Sequence, residues 1–192
     1  MSQEQEHSGN PLEKLAGIEK KRTLRHFNSD LTSYSSNNST EVIIDISTPR
    51  ELLDFQAGYL LFDFLASKTA GTGNLLFQDF AASAWIKEFR LEDRAGVQIG
   101  KSVNYYNGLV RLAHIFTSPD YFPNNFLSGL RIIITMESAA NVLTLAAQDG
   151  TDLEYTISNV SYACDVIELH PNGMKELQGA LSGGLNVNYV RT

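Results

Sequence analysis

Alternation constrains this chain more than any other feature. In LRIIITME, Leu130, Ile132, Ile134 and Met136 occupy every second position, with Arg131, Ile133, Thr135 and Glu137 between them. Successive side chains of an extended strand leave opposite faces, so this is the pattern of a strand with one face in a core. The same period recurs at Val42, Ile44 and Ile46, and at Leu60, Phe62 and Phe64 with Asp63 opposite. It recurs at Trp85, Phe89 and Leu91, against Glu88, Arg90 and Glu92. Leu153, Tyr155 and Ile157 repeat it, as do Tyr162, Cys164 and Val166, against Ala163, Asp165, Ile167 and Leu169, and finally Leu185, Val187 and Tyr189. Val142 to Ala146 is read as one more short strand.

Turn-forming residues stand between these stretches: Thr48-Pro49-Arg50, a loop from Asp54 to Gly58, the glycine-rich Lys68 to Asn74, and Asp93-Arg94-Ala95-Gly96. Further turns fall at Thr117 to Phe126, Ser138 to Asn141, Gln148-Asp149-Gly150-Thr151 and His170-Pro171-Asn172-Gly173. A helical period appears after Asn104, its expected cap, where Tyr106, Leu109, Val110, Ala113 and Phe116 recur at three- and four-residue spacing. Met174 to Leu181 reads as a short helix ended by Gly183 and Gly184. The total is about eight or nine short strands with one substantial helix and no regular strand-helix-strand alternation, which disfavours a parallel sheet and favours a two-sheet sandwich. Pattern alone leaves a jelly roll, an immunoglobulin-like sandwich and a lectin fold open.

At 192 residues the chain is long enough for one domain with a core of its own, without disulfides or metals. The net charge of −7 argues against a general nucleic-acid binder. Cys164 has no partner for an internal disulfide, no uninterrupted apolar run is long enough to span a membrane, and no leader pattern opens the chain. Without a leader, the sequons at Asn37, Asn38 and Asn159 are read as chance matches, in a reducing compartment.

Residues 1–40 are expected to be a flexible N-terminal arm, and residues 41–192 the folded domain. The arm is rich in Ser, Asn, Glu and Gln. Within it Pro11 is placed to start a short helix carrying Leu12, Leu15, Ala16 and Ile18, followed by the basic run Lys20, Lys21, Arg22 and Arg25. That run is either a solvated charged end or a contact for a neighbouring subunit, nucleic acid or an inner membrane.

No group of residues makes a credible active site. His7, His26, His114 and His170 are scattered, with no His-x-His or His-x-x-x-His pairing to suit zinc. Cys164, at an alternating strand position with no flanking base, reads as a small buried hydrophobe. Asp63, Asp93, Glu88 and Glu92 read as a solvent face and a turn, not as a catalytic carboxylate pair. Gly71-Thr72-Gly73 lacks the third glycine and the following helix of a dinucleotide loop. Tyr105, Tyr106, Tyr121 and Phe122 cluster at the ends of the expected helix and in the loop beyond it, as interface anchors or as packing of that helix.

The block SAWIKEFRLEDRAGVQIGKSVNYYNGLVRLAHIF resembles the strand-to-helix region of double jelly-roll major capsid proteins of Polinton-like viruses and virophages. Ala84, Trp85 and Ile86 open a strand, a short turn follows, and Asn104 to Asn107 lead into the helix. GLRIIITMESAANVL from Gly129 and EYTISNVSYACDVIEL from Glu154 match more loosely, and the likeness runs from about Glu41 to Val190. It implies an all-β, eight-stranded antiparallel jelly-roll sandwich with one inserted helix packed across an end or an edge. It further implies a non-catalytic, self-assembling trimer in the shell of a DNA virion, without cofactor or metal. A double jelly roll needs two such domains, so the chain would be its first half or a single-jelly-roll relative. The alternative from another class is a carbohydrate- or receptor-binding sandwich, to which Tyr105, Tyr106 and Asn107 could contribute.

Overall fold

The structure is a computed structural model and describes residues 18–27, 32–39, 41–46, 52–68, 74–77, 84–103, 122–123, 129–145 and 153–181. Most of these residues are β-strand, in antiparallel sheets, and the chain is all-β. The strands are β1 (Ile18–Phe27), β2 (Ser33–Ser35), β3 (Glu41–Ile46), β4 (Leu52–Lys68), β5 (Leu75–Phe77), β6 (Ile86–Asp93), β7 (Gln98–Val103), β8 (Phe122–Pro123), β9 (Leu130–Met136), β10 (Leu143–Leu145) and β11 (Leu153–Leu169). The two described helices are α1 (Ala139–Val142) and α2 (Pro171–Leu181).

Two sheets carry the fold. In the first, strands follow the order β1-β11-β4-β8, with β2 pairing β11 beyond the end of β1; in the second, the order is β3-β9-β6-β7. β5 and β10 form a separate two-stranded ribbon. The inner faces enclose one core: Leu53, Phe55, Tyr155, Ile157, Val160, Tyr162, Cys164 and Val166 from the first sheet, and Val42, Ile44, Ile46, Phe89, Leu91, Leu130, Ile132, Ile134 and Met136 from the second. Each buried aliphatic or aromatic side chain contributes about 1.5–3 kcal/mol to folding, so these alternating positions decide which face of each strand turns inward. Trp85 sits edge-on to Phe62 with ring centres 5.1 Å apart, and Phe64 stacks on Tyr155 at 5.2 Å. A smaller cluster lies on the outer face of the first sheet, where Leu177 of α2 covers Leu52, Ile167 and Leu169.

The long strands correct several sequence expectations. The expected loop Asp54 to Gly58 lies within β4, a strand of 17 residues. Ala163 is opposite Tyr59 and Asp165 opposite Asp54, so Phe55 to Gly58 form an irregularity inside the pairing and not a break in it. The two strands expected around Tyr155 and Tyr162 are one, β11. A bulge between Ser158 and Ser161 joins them, with Asn159 in the left-handed region at φ 52°. Val142 ends α1, so the strand expected from Val142 begins one residue later, as β10.

Ile18 to Phe27, assigned from composition to a flexible arm with a helix through Ile18, form strand β1 along β11. Main-chain pairing to a preformed edge is indifferent to side-chain polarity, which is why a polar, charged composition concealed it. The turn Asp93 to Gly96 is as expected: Gly96 N–H donates to Asp93 O, Asp93 Oδ1 caps the Val97 N–H at 2.7 Å, and Gly96 adopts φ 81°. The short helix from Met174 is present and begins earlier, at Pro171. The helix after Asn104, the glycine-rich segment around Gly71 and the last strand at Leu185 to Tyr189 lie outside the described residues.

Candidate functional site

Glu88 and Glu92, weighed from the sequence as a carboxylate pair, lie with Arg90 on the outer face of the second sheet, where acidic and basic side chains neutralise one another. Arg90 of β6 stands between Glu88 and Glu92 on its own strand, 3.4 Å and 3.9 Å away, and reaches Glu41 of β3 at 2.6 Å. Lys101 of β7 pairs with Glu88 at 2.8 Å, and Arg131 of β9 pairs with Asp45 of β3 at 2.9 Å. The pairs link all four strands across the face. Glu88 and Glu92 therefore carry the counter-charge of a basic residue, and they face solvent as the alternation predicts. Sequence reading passed over Glu41, Asp45, Lys101 and Arg131, because only strand order brings them beside β6 and one another.

Asp63 lies on the outer face of β4 and accepts a hydrogen bond from Asn159 Nδ2 at 2.6 Å, which braces the β11 bulge. Cys164 is buried in the core. His170 is exposed at the start of α2, and its Nδ1 accepts the Asn172 N–H at 3.4 Å. His26 and the basic residues Lys20, Lys21, Arg22 and Arg25 lie on β1, with Lys20 opposite Glu168 and Arg25 opposite Ala163. Phe122 lies on β8 opposite Leu53. His7, His114, Tyr105, Tyr106, Asn107 and Tyr121 lie outside the described residues.

The buried polar network centres on Tyr155 and Glu137. The Tyr155 hydroxyl donates to the Glu137 carbonyl, and the Glu137 N–H donates to the Trp85 carbonyl at 2.7 Å. The Glu137 carboxylate accepts from Ser138 N–H and from Asn141 Nδ2, which closes the single turn of α1. Nothing in the sequence marked Glu137, since its burial follows from the chain turning into α1. Burial first, and then the nearby Glu137 charge, push the Tyr155 phenol well above the ordinary tyrosine value. Burial, with Cys164 and Asp54 as further causes, does the same for Tyr162.

Among the described residues, no three His, Cys, Asp or Glu side chains gather closely enough to share a metal ion. Among them also, no helix is long and apolar enough to cross a membrane. Tyr59, Leu65, Leu76 and Phe77 are large apolar residues exposed on the surface. No family model matches the chain, and neither a curated protein nor a solved structure matches it.

Proposed function

We propose that this chain is a structural, non-catalytic subunit of an icosahedral viral shell, folded as a jelly roll. Its nearest counterpart in this reading is the first of the two jelly rolls of a major capsid protein. The observation that carries the reading is strand order. Setting aside β2 and the β5–β10 ribbon leaves, among the described residues, eight strands in two sheets, β1-β11-β4-β8 and β3-β9-β6-β7. In chain order the first pairs with the eighth, the second with the seventh, the third with the sixth and the fourth with the fifth. Those four pairings describe one long antiparallel ribbon. Wrapping the ribbon on itself adds the remaining two contacts, β11 to β4 and β9 to β6. This wrapped ribbon is how a jelly roll of two Greek keys is built.

Jelly rolls also serve as lectins and enzymes, so the step from fold to shell rests on the sequence resemblance of the Ala84 to Phe116 block. In this reading the partners are further copies of the chain, as trimers or larger assemblies, together with other shell proteins in the virion. The run Lys20, Lys21, Arg22 and Arg25 is the part of the chain with the charge to meet nucleic acid or an anionic inner membrane. The residues offered for a sugar-binding module, Tyr105, Tyr106 and Asn107, lie outside the described residues, and no described observation favours that alternative.

Negative-stain imaging of the purified chain tests the proposal. Ring-like capsomers or closed shells are the expected images. Dispersed single subunits that give a signal on a glycan array would overturn it in favour of the binding module.

A further inference from the structure

Asp54 of β4 and Asp165 of β11 are direct partners in the antiparallel register, so their side chains leave the same face of the sheet from neighbouring strands. Both are half-buried. Like charges set opposite each other in this way destabilise a strand pair. The face is the outer one, because Ile167, two residues beyond Asp165, packs with Leu52 beneath α2. On its other side Asp165 is opposite Thr23 of β1, which puts positions 21 and 25, a lysine and an arginine, at the flanking register positions of that face. Diagonal same-face neighbours in an antiparallel pair are about 7–8 Å apart, within reach of long side chains.

We propose that the Asp54–Asp165 carboxylate pair is an electrostatic latch for β1: its juxtaposition with the cationic positions Lys21 and Arg25 holds the basic strand on the sheet edge. The basic run that the sequence offers to an outside polyanion thus has carboxylate positions beside it within the fold at two of its four residues, Lys21 and Arg25. It becomes available to such a partner only when β1 leaves β11. The latch is independent of whether the chain builds a shell.

Limited trypsin digestion of the full chain tests the latch, with cleavage after Lys20, Lys21, Arg22 and Arg25 followed by mass spectrometry relative to sites elsewhere. The sign of the Asp165→Asn effect is decisive. An uncompensated carboxylate pair would be relieved by the substitution, and β1 would be cut more slowly. The latch requires the reverse, about two- to fivefold faster cutting of β1. Asp54→Asn is expected to act in the same direction, and Asp165→Glu, which keeps the charge, to stay close to the unmodified chain. In the unmodified chain, raising NaCl from about 50 to about 500 mM is expected to speed cutting of β1 selectively. Slower or unchanged cutting in Asp165→Asn, or a salt-independent rate in the unmodified chain, overturns the latch. If Asp165→Asn does not fold, the salt response of the unmodified chain decides alone.

Discussion

At Gly58 a Cβ would overlap the Tyr162 hydroxyl oxygen and stand 2.7 Å from its Cζ. The irregular stretch of β4 therefore closes onto the Tyr162 ring only because residue 58 has no side chain. Gly58→Ala is expected to cost about 1–3 kcal/mol by overpacking, read as a lower urea midpoint at unchanged slope. Tyr162→Phe in the same chain should restore only part of the loss, since the ring carbon remains too close. Full recovery, or no loss in the single variant, would contradict the packing. Tyr155 and Tyr162 together make a second prediction. Both phenols are held neutral in the folded chain to well above the ordinary tyrosine value. Above about pH 10 the unfolded chain loses these protons while the folded chain keeps them. Fewer bound protons in the unfolded state mean that stability falls as pH rises, by about 1.4 kcal/mol per pH unit for each tyrosine. The stability is complete below pH 10 and drains away above it. Urea midpoints at pH 9 and pH 11 check this, and the fall should be smaller in Tyr155→Phe.

Among the elements, β4 and β11 carry bulges that act as changes of phase. In β11 the inward residues are Tyr155 and Ile157 before Asn159, and Val160, Tyr162, Cys164 and Val166 after it. The odd series becomes an even one, as one inserted residue requires. Asn159→Val places a β-branched side chain at φ 52° and removes the bond to Asp63, and is expected to cost about 1–2 kcal/mol by thermal or urea unfolding. Asn159→Gly should stay much closer to the original, because glycine accepts that backbone. A valine variant as stable as the original would mean that the bulge is not where the register puts it. The phase change was legible in the sequence as two alternating stretches of opposite parity. Reading the two stretches as separate strands was the error, since a bulge keeps them in one. β4 repeats the case, with Leu53 and Phe55 inward before the irregularity and Leu60, Phe62 and Phe64 after it. β1 was illegible for a different reason. Its pairing runs through the main chain to β11, and Glu-Lys-Lys-Arg gives no apolar alternation to see.

For the whole molecule, alternation and turn residues were enough to indicate antiparallel sheets around one core, because burial acts strand by strand. They could not indicate which strands are neighbours. Strand order depends on pairings between distant residues, such as Leu24 with Cys164 in β1 and β11, and no local pattern records them. The candidate surface divides in the same way. The alternation of Glu88, Arg90 and Glu92 marked the outer face of the second sheet, whereas the ion pairs with Glu41 and Lys101 and the carboxylate pair Asp54–Asp165 follow from register. The central claim, that the wrapped ribbon is a self-assembling shell subunit, concerns the molecule at this scale. Its most direct test is the mass of the purified chain in solution, by light scattering as concentration is raised. The account predicts a mass at or above that of a trimer of 21.3 kDa chains, growing toward larger assemblies. A mass that remains that of one chain at every concentration would contradict it.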